Sequence, residues 1–209
     1  MVVVDLFMSV FNKEGSVDRI LNQKSKWTSF FVVSFISAVV STLLVTVTKG
    51  DDLTELGNQI HVDQNAEPFF VLLMGLVTFF ASFFGATITQ GLHSLITFLY
   101  SMFTKNTLQK STWKISAIAF MLYVLYQAFS VILPEEWIEY IKLGHWIQFQ
   151  SQHMQNFLNN INIFSLLSIG VLVSLYSYIS QRSVTRIQKV ALFIIVFLVM
   201  IVPNYFFNN

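Results

Sequence analysis

Apolar residues in this chain gather into long runs separated by short polar stretches, and no run alternates in the manner of a strand. Residues 30–47 form the first run, with Trp27 ahead of it and the acidic, polar stretch 48–68 behind it. The second, residues 69–103, holds no charged side chain and is bounded by Glu67-Pro68 and Lys105. Others occupy 115–133, 163–179 and 190–202, and the last of these ends near Pro203 with Tyr205, Phe206 and Phe207 beyond it. A helix crossing about 30 Å of hydrocarbon needs about 17–25 apolar residues. The pattern therefore predicts an all-α, polytopic membrane protein with one membrane domain over residues 1–209. Its expected spans are 30–47, 69–90 with an extension to 103, 115–133, 163–179 and 190–205.

The second run decides the topology. As one unbroken helix it would measure about 52 Å, too long for a simple crossing and barely long enough for two. If it folded back near Gly85, the basic residues would divide almost evenly between the two sides of the membrane. If it crosses once and continues as an amphipathic tail, Lys13, Arg19, Lys24 and Lys26 share a side with the loops carrying Lys105, Lys110, Lys114, Arg182, Arg186 and Lys189. Only Lys49 and Lys142 then lie opposite. Lysine and arginine in short loops concentrate on the cytoplasmic side, which selects the single crossing. Five transmembrane helices follow, with the N-terminus cytoplasmic and the C-terminus outside. In the tail, Leu92, Leu95, Ile96, Leu99 and Phe103 keep a helical stripe that would lie against the inner surface or against neighbouring helices.

Shorter segments read as interfacial. Residues 1–28 form a cytoplasmic amphipathic segment: Leu6, Phe7, Val10 and Phe11 share a face, residues 12–16 suggest a turn, and Ser16 is placed to cap a short helix carrying Val17, Ile20 and Leu21. Two such helices would lie on the membrane surface or pack against the protein's own loops. Pro134-Glu135-Glu136-Trp137 resembles a helix start, with acids near the positive end of the dipole. Trp27, Trp137 and Trp146 sit where interfacial aromatic anchors belong. Residues 148–162, rich in Gln and Asn, read as an exposed loop or as the polar face of another interfacial helix.

Composition agrees with a membrane class and narrows the chemistry. Of the 209 residues, 55% are hydrophobic and 11% charged, with 22 Phe, and the charged share is about half that of a soluble domain. The start, Met1 to Met8, lacks a basic region and is interrupted by Asp5, so it is not expected to act as a signal peptide. Without cysteine there is no disulfide, thiol nucleophile or thiolate metal site. No Asp or Glu falls inside a predicted span, which argues against a proton- or cation-coupled transporter and against an aspartyl intramembrane protease. His145 and His153 are spaced wrongly for a zinc pair, and no metal or cofactor is expected. No phosphate loop, serine elbow or basic–aromatic pattern is present, so nucleic acid is not an expected partner. Membrane lipids are.

Two clusters carry candidate chemistry. Gly75, Thr78, Ser82, Gly85, Thr89 and His93 fall within about 80° of arc at about 100° per residue, a small-and-polar stripe. It reads as a polar groove, as a docking face for a partner helix, or as internal packing in which small residues let backbones approach. Ionisable residues inside membranes are functional suspects, but a single crossing would place His93 near the inner surface, within reach of water. Gln127, with Tyr123 and Tyr126 nearby, is a second polar point and suits an interhelical hydrogen bond. Ser34, Ser37 and Ser41 share one face of the first span and suit close helix contact.

The order of parts resembles the Yip (Ypt-interacting-protein-like) five-span membrane proteins, in particular their bacterial branch. The similarity lies in the stretch Phe11-Asn12-Lys13-Glu14-Gly15-Ser16-Val17-Asp18-Arg19-Ile20 before the first span, in residues 69–133, and in Asn162-Ile163-Phe164 opening the closing pair. Where that family has proline after the Asn, this chain has Lys13. The resemblance implies a non-enzymatic membrane protein. Eukaryotic relatives act with small GTPases in vesicle traffic, and some bacterial ones accompany ABC-type exporters protecting against toxic peptides. The expected role is thus an accessory or assembly subunit of a transport complex in the cell membrane, with an ATPase, permease and adaptor as partners. The alternative is a self-sufficient channel, lipid-moving protein or small-solute carrier using the polar stripe. A membrane enzyme is the third reading, for which no nucleophile–base pair is visible.

Overall fold

The computed structural model of the chain describes residues 15–22, 27–48, 67–104, 111–159, 161–180 and 184–207. We number the helices α1 (Ser16–Leu21), α2 (Thr28–Thr48), α3 (Glu67–Phe103), α4 (Thr112–Ile132), α5 (Glu135–Ile141), α6 (Leu143–Trp146), α7 (Gln152–Asn159), α8 (Ile163–Ile179) and α9 (Arg186–Phe207). Among the described residues the structure is helical, apart from turns and one isolated antiparallel bridge between Lys142 and Asn162.

Each long helix follows from an apolar run. α2, α3 and α4 are long and apolar enough to cross a membrane, over Thr28–Val47, Pro68–Phe103 and Thr112–Ile132, and the chain is a membrane protein. α8, at 17 residues, is equally apolar but shorter; at 1.5 Å per residue it measures about 26 Å. α3 passes through Gly85 without a turn, so the fold-back considered there does not occur. α9 likewise continues through Pro203, where the sequence suggested an end.

The helices assemble around α4. Residues Ile115 to Met121 of α4 are buried on every side, and α2, α3 and α8 all pack on it, with α9 resting on α8 and α3. Ile169, Leu172 and Tyr176 of α8, Val33 of α2 and Leu192 of α9 complete the core. α1 belongs to this core. Val17 and Ile20 are buried in it, and Lys114 at the start of α4 donates from Nζ to the Leu21 carbonyl at 2.7 Å. The helix thus packs on the helices of the bundle, and not on loops. Its cap also differs from expectation: the N-cap is Gly15, at φ 76°, and Ser16 is the first helical residue. Glycine takes that left-handed conformation without a Cβ penalty. The companion helix expected at residues 6–11 lies outside the described residues.

The surface is inverted relative to a soluble fold. Ser29, Ser34, Ser37, Gln90, Thr97 and Ser101 are buried, while Phe35, Phe69, Phe80, Phe84, Ile88 and Leu99 are exposed. In water this distribution would be penalised twice, by exposed apolar area and by sequestered polar groups. In hydrocarbon, where apolar surface gains nothing by burial and polar groups seek one another, it is the stable arrangement. The C-terminal part of α3 obeys the same logic. Leu92, Leu95 and Leu99 face outward rather than onto neighbouring helices of the chain, while Gln90, His93, Ser94 and Thr97 face inward.

Beyond α4 the chain builds a cap of short helices. α5 starts directly after Pro134, as the Pro-Glu-Glu-Trp pattern predicts. α7 shows that the Gln/Asn-rich stretch is helical over Gln152–Asn159. The backbone of Leu143 donates to the Ile161 carbonyl at 2.8 Å, and Gln155 Nε2 reaches the Gly144 carbonyl at 2.7 Å, closing the cap on itself.

Candidate functional site: a polar cavity inside the helix bundle

The serine face of α2 is the starting point. Ser34, Ser37 and Ser41 recur at the spacing that puts residues on one side of a helix, and all three are buried. Each meets an amide from a neighbouring helix. Gln90 Nε2 on α3 donates to Ser34 Oγ at 2.9 Å. On α4, Gln127 Oε1 accepts from Ser37 Oγ at 2.8 Å and its Nε2 donates to Ser41 Oγ at 3.0 Å. Gln127 thus makes the interhelical bond its position suggested, and makes it twice. Ser116 Oγ donates to the Gln90 carbonyl at 2.7 Å, tying α4 to α3, and Ser168 Oγ donates to the Ala119 carbonyl at 2.6 Å, tying α8 to α4.

These ties do not close the interior. Between α2, α3, α4 and α8 lies a cavity of about 320 Å³. Its wall takes Ser37 and Ser41 from α2, Ser82, Gly85, Ala86, Thr89 and His93 from α3, Phe120, Tyr123 and Gln127 from α4, and Ser165, Ser168 and Ile169 from α8. That size is at the lower end of small-molecule sites, which run from about 300 to 1,000 Å³. In α2, the wall residues stand about 14 and 20 Å from the helix start, near the middle of its length.

The stripe on α3 divides at this wall. Ser82, Gly85, Thr89 and His93 line the cavity, and Thr89 Oγ1 returns to the Gly85 carbonyl at 2.9 Å. Gly75 and Thr78 stand outside it. Gly75 faces α2, where an added Cβ would come 3.8 Å from Thr42 Cγ2, an ordinary contact. His93 departs from expectation: it is 1% exposed, at the cavity wall rather than at a surface reached by water. The reason is rotational. His93 shares the inward face of α3 with Gln90 and Thr97, and that face is turned to α4 and α2. Sequence reasoning missed Tyr123 as a wall residue, and Ser165 and Ser168 altogether. The last two repeat the i, i+3 serine spacing of α2, a signal that was available.

Among the described residues no Asp, Glu, Lys or Arg contributes to the wall, so these residues make it polar without fixed charge. The described residues of the wall do not by themselves assemble the nucleophile–base–orienter set of a hydrolase. Among the described residues no three His, Cys, Asp or Glu side chains come together as a metal-holding group. His145 instead packs its ring against Tyr140, with centroids 4.3 Å apart, and the side chain of His153 lies outside the described residues.

The three tryptophans expected as interfacial anchors stand at the ends of the bundle. Trp27 packs on Trp113 with ring centroids 4.6 Å apart. Trp137 and Trp146 are largely exposed on the cap, and Trp146 Nε1 donates to the Tyr140 carbonyl at 2.7 Å. An exposed apolar ring with its N–H satisfied suits a headgroup-level position.

Comparison with known proteins adds nothing to this geometry. No family model, curated protein or solved structure matches the chain.

Proposed function

We propose that the chain is a multi-pass protein of the cytoplasmic membrane that holds or passes a small molecule through its intramembrane cavity, without chemical catalysis. The cavity carries the reading. Inside hydrocarbon a polar void is costly, because hydroxyl and amide groups lose the contacts that a closed helix interface would give them. Four helices nevertheless leave about 320 Å³ open there and direct Ser, Thr, Tyr, His and Gln side chains to its wall. A small molecule that satisfies those groups explains the opening. Around it the chain crosses five times, α8 and α9 being the fourth and fifth spans, with the N-terminus cytoplasmic and the C-terminus outside. The distribution of Lys and Arg along the chain supports that orientation.

A second reading is the accessory subunit of an ABC-type peptide or toxin exporter, partnered by an ATPase, permease and adaptor. The layout shared with bacterial Yip proteins supports it, and so does one structural observation. The outward face of α3 stays apolar from Phe69 to Phe103. A helix that long extends about 52 Å, well beyond the roughly 30 Å of hydrocarbon, which leaves apolar surface for a partner helix.

Native mass spectrometry of the full-length protein released from nanodiscs tests both readings. The cavity reading expects a retained small molecule that is lost in Ser82→Leu, whose larger side chain enters the cavity. A wild-type protein that is empty at every release energy overturns it, and a stoichiometric polypeptide in place of the small molecule favours the accessory role. Tags on Met1 and Asn209 should be reachable from opposite faces of the membrane.

A further inference from the structure

The cavity has a door as well as a wall. α3 and α8 both pack on α4 and meet each other at the Tyr100–Tyr176 pair, with ring centroids 5.6 Å apart, but few residues join them elsewhere, which leaves the enclosure incomplete at the level of Gly85. Gly85 stands in the wall and is exposed, and a Cβ built on it meets no atom within 4 Å. Its neighbours Phe84 and Ile88 turn outward, 58% and 62% exposed, on the apolar face that α3 offers to lipid. The opening therefore leads sideways toward hydrocarbon, and whatever passes it must have an apolar part that tolerates that environment.

The wall specifies the other part. Among the described residues the wall holds no Asp, Glu, Lys or Arg, and its one ionisable side chain, the His93 imidazole, is 1% exposed, so a charge brought in from water would meet no fixed counter-charge and would be strongly penalised. The hydrogen-bonding capacity is present, however. Ser37, Thr89, Ser165 and Ser168 spend their hydroxyl protons on Gln127, on the Gly85 and Ala119 carbonyls and on Asn162. Among the described residues neither the Ser82 hydroxyl, on the α3 side, nor the Tyr123 hydroxyl, on the α4 side, has a hydrogen-bond partner. Ser41 Oγ accepts from Gln127, which leaves its own proton to give. Ser82 and Tyr123 are half-buried, and hydroxyls that line one void without a described partner mark the hydrogen bonds a ligand there would complete.

From this we infer that the cavity binds the head group of an uncharged, hydroxyl-bearing amphiphile, admitted from the bilayer past Gly85 with its chain left in the hydrocarbon. This inference rests on the reading of the cavity as a ligand site. The head group accepts from Ser82 and Tyr123 and donates to wall oxygens. The chain lies along Phe84 and Ile88.

The test uses the full chain in phosphatidylcholine nanodiscs and radiolabelled 1-monooctanoylglycerol as the probe, read by scintillation proximity. Dioctanoyl phosphatidate serves as the charged competitor and glycerol as the free head group. Saturable binding of monooctanoylglycerol is expected, at least about tenfold tighter than phosphatidate, with glycerol unable to compete at millimolar concentration. Tyr123→Phe and Ser82→Ala, which each remove a hydroxyl unbonded among the described residues, should each weaken binding by about 3- to 10-fold, the range for one hydrogen bond. Gly85→Leu should abolish it by filling the door. Should that variant fail to fold, the two hydroxyl variants still decide the matter.

Equal binding of phosphatidate overturns the uncharged class, and competition by glycerol overturns the sideways route. Unchanged affinity in both hydroxyl variants overturns the assignment of the wall. If no probe binds while the native protein still carries a resident molecule, the amphiphile class fails and the ligand-site reading stands. An empty native protein overturns both.

Discussion

Gln127→Leu tests the polar interior most directly. The Gln127 amide holds α4 to α2 through two hydrogen bonds, from Ser37 Oγ at 2.8 Å and to Ser41 Oγ at 3.0 Å. Leucine has nearly the same volume and no polar atom, so packing is largely kept and the clip is lost. Within a membrane each interhelical hydrogen bond contributes on average about 0.6 kcal/mol, and about 1.7 kcal/mol at most. Two such bonds set the expected loss near 1.2 kcal/mol, with a ceiling near 3.4 kcal/mol. The loss stays modest because the orphaned serines can bond back to carbonyls of their own helix one turn earlier. Equilibrium unfolding in mixed micelles measures it, and double-mutant cycles with Ser37→Ala and Ser41→Ala apportion it. Each cycle should return about 0.6 kcal/mol of coupling. Coupling indistinguishable from zero with both serines would refute the clip, and with it the account of how α2 and α4 frame the cavity.

Two other substitutions probe the ends of the bundle. Lys114→Met removes the donor to the Leu21 carbonyl. A hydrogen bond from a charged group contributes about 1.5–3 kcal/mol, so amide exchange in α1 should accelerate while the core of α4 stays protected. Unchanged protection at residues 16–22 would show that Val17 and Ile20 hold the helix alone. At the cap, Gly144→Ala would place a Cβ 1.8 Å from Asn159 Oδ1 and 2.9 Å from the Asn159 backbone nitrogen. The side chain can rotate away but the backbone cannot, so α6 and α7 should separate. A loss of about 1–3 kcal/mol is expected, read as faster proteolysis between residues 142 and 159. Wild-type resistance to protease would contradict the close approach.

How legible the site was varies by residue. Gln127 was readable because a lone amide inside an apolar run has little choice but to find a partner on another helix. Ser82, Gly85, Thr89 and His93 were grouped by the 100° step between residues, and the structure keeps them together at the cavity wall. That step could not tell a groove from a close-packed seam, since both need small residues. Gly75 went with the seam, near Thr42, and Gly85 with the groove. The leucines of the α3 tail show the same ambiguity from the other side. Periodicity placed Leu92, Leu95 and Leu99 on one face, but neighbouring helix and lipid are both apolar, so the pattern could not say which of them that face would meet.

By itself the sequence determined that the chain is helical and enters a membrane, where α2, α3 and α4 run, and that α5 begins after Pro134. Those features depend on the composition of contiguous stretches and on local stereochemistry, which are written residue by residue. The tertiary structure alone decided that His93 is sealed from water, that Ser165 and Ser168 join serines more than a hundred positions earlier in the chain, and that α3 and α8 part to leave Gly85 uncovered. Each of these depends on the rotation of one helix against another. In hydrocarbon that rotation is settled by a few directional hydrogen bonds between helices and not by the amount of apolar surface, which is nearly the same on every face.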